Sequence, residues 1–146
     1  RREEPTGVPR AHFEPLQVRR YEAGQRYAAH HDYSDAQRDL PCGPRVLTLL
    51  LYLSNVEDGG GTAFPLLQPA LVVAPAKGSA GLWPSVLADA LTQKDERTLH
   101  EARPVRRGVK YAANAWIHLR DYRQPHHWGC AGAFDDGVLE EGGPPD

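Results

Sequence analysis

Three residues of this chain have the types and spacing of a metal site. His30 and Asp32 are two positions apart. In an extended strand, residues at that spacing point to the same face, whereas His31 between them points to the other. A third ligand is needed, and His100 is the best candidate because it lies between a polar loop and a strand-like run. We therefore predict that His30, Asp32 and His100 hold a cation.

The ligand types also indicate a class of chemistry. Two histidines and one carboxylate on one face of an octahedron leave positions open for substrates, which is typical of non-haem Fe(II) oxygenases. The pattern therefore favours oxygen chemistry over hydrolysis. Lys110 follows His100 by ten residues, and its ammonium could clamp an anion near the metal.

The composition is that of an ordinary globular domain. The chain has 146 residues, of which 40% are hydrophobic, and it can bury a core. A formal net charge of −2 does not indicate nucleic acid or an anionic membrane as a partner. No apolar stretch approaches the roughly 20 residues of a membrane span, and the first residues lack the apolar core of a signal peptide. Basic clusters at 19–20 and 103–110 are expected to be mostly a solvated strand face.

Short strand signals, separated by glycine and proline turns, run through most of the chain. The predicted strands cover residues 16–21, 27–33, 45–53, 62–64, 71–74, 79–83, 103–105 and 109–119. The strand at 45–53 is the most hydrophobic and is expected to be buried on both faces. A helical pattern occurs only at 86–93.

This pattern favours an all-β fold with a minor helix, and a jelly roll, or double-stranded β-helix, fits best. Such a topology brings distant strands together at one open end, where His100 would meet His30 and Asp32. The polar segment 34–44 is long enough to form a lid.

We expect a single domain over residues 1–146, with a core at about 14–122 and a tail at 123–146. The tail is expected to be poorly ordered after about Gly137. Only about ten polar residues precede the first strand-like run. We therefore expect that supporting N-terminal helices are missing from this chain.

Cys42 and Cys130 are the only cysteines. They could form one disulfide, which would indicate an oxidising compartment, or remain two separate thiols; we favour the disulfide. A structural zinc site that combines both cysteines with His126 and His127 is an alternative. Its spacing is irregular, so a solvated tail is the preferred interpretation.

The motifs, in their order, resemble the prolyl 4-hydroxylase family of Fe(II)- and 2-oxoglutarate-dependent dioxygenases. The resemblance spans about residues 14–122, and its segments are 16–33, 45–53, 59–65, 98–100 and 110–118. It implies a jelly-roll fold and hydroxylation of peptidyl proline, with 2-oxoglutarate converted to succinate and CO2.

The resemblance also assigns roles to residues around the metal. It implies that His30, Asp32 and His100 hold Fe(II). It implies that Lys110 pairs with the distal carboxylate of 2-oxoglutarate and that the hydroxyls of Tyr21 and Thr62 contact the same carboxylate. It also implies that His118 orients the metal-bound end of the co-substrate. The residues matching positions near the peptide groove are Tyr27, Arg45 and Trp116, and the two aromatic rings among them suit stacking on proline.

Further expectations follow from the same family. L-ascorbate would restore oxidised iron, O2 would be the oxidant, and the substrate would be a proline-rich polypeptide in extended form. The family also implies the endoplasmic reticulum or the secretory pathway. Arg103 stands where collagen-type members often have a cysteine, so any disulfide must join Cys42 to Cys130. Ala115 also replaces a commoner polar or basic residue.

Two alternatives remain open. The same chemistry could act on another side chain or on a small molecule. A catalytically inactive jelly-roll module that binds peptide or sugar is the second alternative. The intact metal ligands and Lys110 count against it, because an inactive module has no need to keep a buried cation beside a metal site.

Overall fold

The computed structural model describes residues 7–127, and strands dominate this part of the chain. The strands are β1 (Gln17–Tyr21), β2 (Tyr27–His30), β3 (Arg45–Tyr52), β4 (Asp58–Gly59), β5 (Thr62–Phe64), β6 (Leu71–Val73), β7 (Ala80–Pro84), β8 (Val86–Leu87), β9 (Ala90–Lys94), β10 (His100–Ala102), β11 (Val105–Arg107) and β12 (Lys110–His118). Two short helices are α1 (Asp35–Arg38) and α2 (Arg123–His127).

Two antiparallel four-stranded sheets form the body of the domain. One has the order β1-β12-β3-β7 and the other β2-β10-β5-β6, while β11-β4 and β8-β9 form small separate ladders. Except for β5 and β6, strands adjacent in each sheet are not consecutive in the chain, as expected for a jelly roll. The predicted all-β jelly roll with minor helix is therefore confirmed. Within the described residues, no helix is both long enough and apolar enough to span a membrane.

The larger sheet depends on the pairing of β3 with β12. Alternation along β3 turns Thr48, Leu50 and Tyr52 towards the opposite sheet, and all three are buried. The other face of β3 is only partly buried, so the expectation of burial on both faces is wrong. On that face the neighbouring strand exposes Leu82.

An apolar cluster joins the two sheets. It contains Leu50, Tyr52, Phe64, Trp83 and Ala112, drawn from four strands. Burial of each large side chain contributes about 1.5–3 kcal/mol relative to exposure. The cluster therefore holds the sheets together beside the cavity described below.

Two sequence expectations need correction. The segment 86–93 is a β-hairpin, with Val86 opposite Lys94 and Leu87 opposite Ala90. Apolar residues one and four apart fit a helix equally well, and strand pairing overrides that local pattern. The strand predicted at 27–33 ends at His30, and Asp32 lies in a bend after it.

The predicted lid and tail each contain a short helix. Helix α1 lies within the segment 34–44, and α2 begins the predicted tail. Residues 128–146 lie outside the described part of the chain, so the proposed disorder after Gly137 and the pairing of Cys130 with Cys42 both fall outside it. Cys42 itself is fully buried.

Ile117 provides a test of the packing. Its side chain is 0% exposed on the central strand β12, whereas Val18 on the neighbouring β1 is 62% exposed. Replacing Ile117 with Ala should reduce the free energy of unfolding by about 3 kcal/mol, because it leaves a cavity. Val18→Ala should reduce the free energy of unfolding by about 0.5 kcal/mol or less. Urea denaturation of both variants checks this, and equal losses would contradict the described packing.

Candidate active site

A cavity of about 510 Å³ opens between the two sheets, under the segment 34–44. Nine of the ten predicted site residues line it: Tyr21, Tyr27, His30, Asp32, Arg45, Thr62, His100, Lys110 and Trp116. His118 does not. Residues from six strands and one bend therefore meet in a single cavity.

The three predicted metal ligands converge at the wall of this cavity. One ligand atom from each of His30, Asp32 and His100 lies within 4.8 Å of the other two. His100 on β10 is directly opposite His30 on β2. Nε2 of His30 is 3.7 Å from Asp32 Oδ1, and Nε2 of His100 is 3.4 Å from Asp32 Oδ2. This donor set fits Fe(II), since two imidazoles and one carboxylate on one side leave the other side open.

Backbone contacts set the orientation of both imidazoles. Nδ1 of His30 is 2.8 Å from the Ala28 carbonyl oxygen, and Nδ1 of His100 is 2.9 Å from that of Thr98. Because a carbonyl only accepts, each Nδ1 carries the proton and each Nε2 presents a lone pair. Burial, with the adjacent His100, lowers the pKa of His30 to about 4. Its ring is therefore neutral near pH 7, as metal coordination requires.

Thr48 fixes the carboxylate ligand. Its hydroxyl donates a 2.6 Å hydrogen bond to Asp32 Oδ2, and both side chains are buried. Asp32 needs this contact because it follows β2 instead of lying in the strand. His31 is not part of this cluster, and its Nε2 is 3.2 Å from Glu96 Oε2.

Lys110 supplies a buried positive charge deeper in the cavity. The residue is 2% exposed, and its Nζ lies 5.3 Å and 5.6 Å from the ring centroids of Tyr21 and Tyr52. No carboxylate in residues 7–127 forms an ion pair with it, and burial lowers the pKa of Lys110 to about 8. The Tyr52 hydroxyl donates to Thr62 Oγ1 at 2.8 Å. This end of the cavity thus combines an unpaired ammonium with hydroxyl groups, which suits an anion.

His118 lies in a separate buried ionic network. Its Nε2 donates to Glu14 Oε1 at 2.7 Å, and its Nδ1 donates to the Gly43 carbonyl at 2.7 Å. Arg45 donates to both oxygens of the same Glu14, at 2.7 Å and 3.2 Å. Both His118 nitrogens are thereby occupied outside the cavity. These contacts place the His118 ring in the ionic network, and its predicted role in orienting the co-substrate stays a prediction.

The ionic network changes the protonation of His118. Burial lowers its pKa, but hydrogen bonds to the Cys42 thiol, Glu14 and the Gly43 carbonyl outweigh burial and raise the pKa to about 9. His118 is therefore an imidazolium near pH 7. It helps to hold the Glu14 carboxylate against Arg45.

The predicted groove residues lie at the cavity wall. The guanidinium carbon of Arg45 is 3.8 Å from the Trp116 ring centroid. The Tyr27 ring packs edge-on against His30, with centroids 4.3 Å apart. The Trp116 indole nitrogen is buried with no hydrogen-bond partner in the described part of the chain. These aromatic surfaces border the metal ligands.

Sequence reasoning missed three residues of this site, Glu14, Thr48 and Tyr52. Glu14 and Thr48 act through tertiary hydrogen bonds to residues 31 and 16 positions away. Local sequence carries no signal for such contacts. Tyr52 could have been found, because it shares a face of β3 with Thr48.

Comparisons with known proteins agree with this geometry. The family model described as the 2OG-Fe(II) oxygenase superfamily matches residues 16–118. Probable prolyl 4-hydroxylase 7 from Arabidopsis thaliana is 34% identical over 150 residues, which cover 91% of this chain and 46% of the plant protein. Prolyl 4-hydroxylase subunit alpha-1 from Homo sapiens is 37% identical, with 82% of this chain and 23% of the human protein covered.

A solved structure is also similar. The viral collagen prolyl hydroxylase from Paramecium Bursaria Chlorella virus-1, in its 2OG complex, superimposes with a TM-score of 0.64 at 36% identity. The match covers 73% of this chain and 59% of the viral chain. The present chain spans less than half the length of the plant and human relatives it matches.

Thr48 provides a test of the metal centre. Thr48→Val keeps the side-chain shape but removes the hydrogen bond to Asp32, so Fe(II) affinity should fall by about 10- to 100-fold. Thr48→Ser should retain most of the affinity, and His100→Ala should lose Fe(II) binding. Anaerobic Fe(II) titration measures this, with thermal melting of each metal-free variant as the control for folding. Wild-type affinity in Thr48→Val would contradict the positioning role.

The ionic network predicts a pH dependence of stability. Because the folded-state pKa of His118 is raised from 6.5 to about 9, its stabilisation is complete below pH 6.5 and is lost as pH rises through 9. Raising the pH from 6.5 to 8 should therefore lower the free energy of unfolding by about 1.5 kcal/mol through His118. Glu14→Gln should reduce that loss. Denaturant unfolding at both pH values tests this, and an unchanged loss in Glu14→Gln would show that Glu14 does not hold the proton on His118.

Proposed function

This chain belongs to the prolyl 4-hydroxylase family of the 2OG-Fe(II) oxygenase superfamily, and from that premise we propose that it hydroxylates proline residues of a polypeptide. The observation that carries the proposal is the convergence of His30, Asp32 and His100 in the same cavity as the unpaired Lys110 ammonium. A metal donor set and an anion site side by side suit a reaction that needs both Fe(II) and 2-oxoglutarate.

The metal role of the triad is part of this proposal. His30, Asp32 and His100 would hold Fe(II), and Thr48 keeps the carboxylate in place. Bound Fe(II) and 2-oxoglutarate together supply the activation of O2, with 2-oxoglutarate converted to succinate and CO2. Phe64 and Trp83 pack against the His100 ring and help to keep water from the site.

Lys110 would bind the distal carboxylate of 2-oxoglutarate. The described chain offers this ammonium no carboxylate of its own, so an incoming carboxylate would restore its charge partner. Tyr21 lines the cavity next to the ammonium. The Thr62 hydroxyl accepts from Tyr52 and therefore has its own proton to donate to the same carboxylate.

Tyr27, Arg45 and Trp116 would receive the proline-rich substrate. They line the cavity beside the metal ligands, and the Tyr27 and Trp116 rings give this wall aromatic surface. The Glu14 carboxylate holds Arg45 against the Trp116 ring. In an extended, polyproline-like chain, proline rings and backbone carbonyls alternate along the surface that would contact these three residues.

Other expectations belong to the same proposal. We propose a single domain whose core is at about residues 14–122. L-ascorbate as the reductant and an endoplasmic reticulum or secretory location remain predictions.

The first test is turnover. Succinate formation from 2-oxoglutarate is measured with Fe(II) and ascorbate, with and without a panel of proline-rich peptides, and mass spectrometry detects the gain of one oxygen. Hydroxylated proline with matched succinate is the expected result. Succinate formed without oxidation of the peptides would indicate that the substrate is another side chain or a small molecule. An absence of turnover with Fe(II) bound would favour the inactive binding module.

Lys110 predicts how co-substrate binding depends on pH. Only the protonated amine attracts a carboxylate, and the pKa of Lys110 is about 8. The Kd for 2-oxoglutarate should therefore be nearly constant below pH 7 and rise about tenfold at pH 9. Lys110→Arg should remove this pH dependence, because the guanidinium stays charged. Calorimetric titration at pH 7 and 9 measures both proteins, and an equal rise in both would place the titration elsewhere.

A further inference from the structure

One cationic side chain in the cavity has no role in the proposed reaction. Arg19 lies on β1 and, together with Tyr21, lines the cavity wall. The basic pair Arg19 and Arg20 is part of the clusters that the sequence predicts to be mostly a solvated strand face. Arg20 fits, since it is exposed and ion-paired with Glu22. Arg19 is on the opposite face of the strand and is only partly exposed.

The guanidinium of Arg19 is held in a fixed position. Its Nε and Nη2 donate to Gln17 Oε1 at 3.1 Å and 2.9 Å. Its central carbon is 5.8 Å from the ring centroid of Tyr27, which borders the metal ligand His30. The Gln17 amide is neutral, so it orients the guanidinium without offsetting its charge. Within residues 7–127, no carboxylate is in ion-pair range of Arg19.

Each of the other charged cavity residues has a partner in the structure or in the proposed reaction. Asp32 is the only carboxylate among the described lining residues, and it faces the two histidines of the metal triad. Arg45 is neutralised by Glu14, and Lys110 suits the distal carboxylate of 2-oxoglutarate. Arg19 therefore leaves one positive charge on the wall beside Tyr27.

We propose that Arg19 determines substrate specificity by binding a carboxylate of the substrate, the side chain of an Asp or Glu close to the target proline. The inference rests on the proposed function. A guanidinium held by Gln17 keeps N–H groups of Nη1 and Nη2 for a carboxylate, and such a pair is a charge-assisted hydrogen bond. Its position beside Tyr27 places the acidic residue next to the aromatic surface proposed for the proline.

The experiment compares matched peptides. A proline-rich peptide carries one Glu at successive positions from three before to three after the target proline, and each is paired with its Gln counterpart. For at least one position, kcat/KM should be about three- to tenfold higher for Glu than for Gln at low salt. The ratio should shrink in 0.5 M NaCl, because the guanidinium is partly exposed.

Two variants isolate the residue. Arg19→Gln should bring the Glu-to-Gln ratio close to one, and Arg19→Glu should favour a Lys peptide instead. Arg20→Gln removes the neighbouring arginine on the other face of β1 and should keep the wild-type ratio. A wild-type ratio near one at every position, or an unchanged ratio in Arg19→Gln, would overturn the inference. A rise in the KM for 2-oxoglutarate in Arg19→Gln, with the peptide ratio unchanged, would place Arg19 in the co-substrate site instead.

A binding measurement separates this inference from the proposed function. Fluorescence anisotropy gives the Kd of the same labelled peptides without turnover. Tighter binding of the Glu peptide by wild type, lost in Arg19→Gln, would support the inference even where no proline is hydroxylated. If both peptides are hydroxylated at equal rates and bind with equal Kd, the proposed function is supported and the inference about Arg19 is overturned.

Discussion

The pairing of β12 with β1 and β3 is the constraint on which the rest of the structure depends. The β12 strand crosses the larger sheet between its two neighbours and turns Lys110, Asn114 and Trp116 towards the cavity. A register slip of one residue would turn these side chains to the outer face. The same pairing sets Thr48 opposite Trp116 and thus places the residue that orients Asp32. The positions of Lys110, of Trp116 and of the Thr48 hydroxyl that contacts Asp32 all follow from one register.

The buried polar groups of the interior are of two kinds: those that the chain pairs with a partner and those that it leaves unpaired. Where the chain supplies partners, the groups are fixed, as in the contacts of Glu14 with Arg45 and His118. Where it does not, as at the Lys110 ammonium, the group belongs to a residue that lines the cavity. Burying such groups unpaired costs free energy in the empty protein. A partner that completes such a group regains that cost as binding free energy.

Much of the fold could be predicted from the sequence because its signals are local. Alternating apolar residues and glycine turns predict most of the strands, and the position of the long strand 110–118 is close to that expected. The hairpin at 86–94 was missed because Val86 and Leu87 have a spacing compatible with either helix or strand, and only pairing with 90–94 decides between them. The contact of His118 with Glu14 could not be predicted for a related reason. Its partner Glu14 is 104 residues away, and the ring is taken up by that contact.

The sequence by itself determined which chemistry is possible. The identity of His30, Asp32 and His100 limits the metal site to nitrogen and oxygen ligands, and Lys110 specifies the sign of the charge beside it. The tertiary structure alone decided that these groups meet. His100 lies opposite His30 only because β10 pairs with β2. Lys110 is shielded from solvent only because it is buried between the two sheets. Distance, burial and the resulting pKa depend on contacts between residues far apart in the chain, which no local pattern encodes.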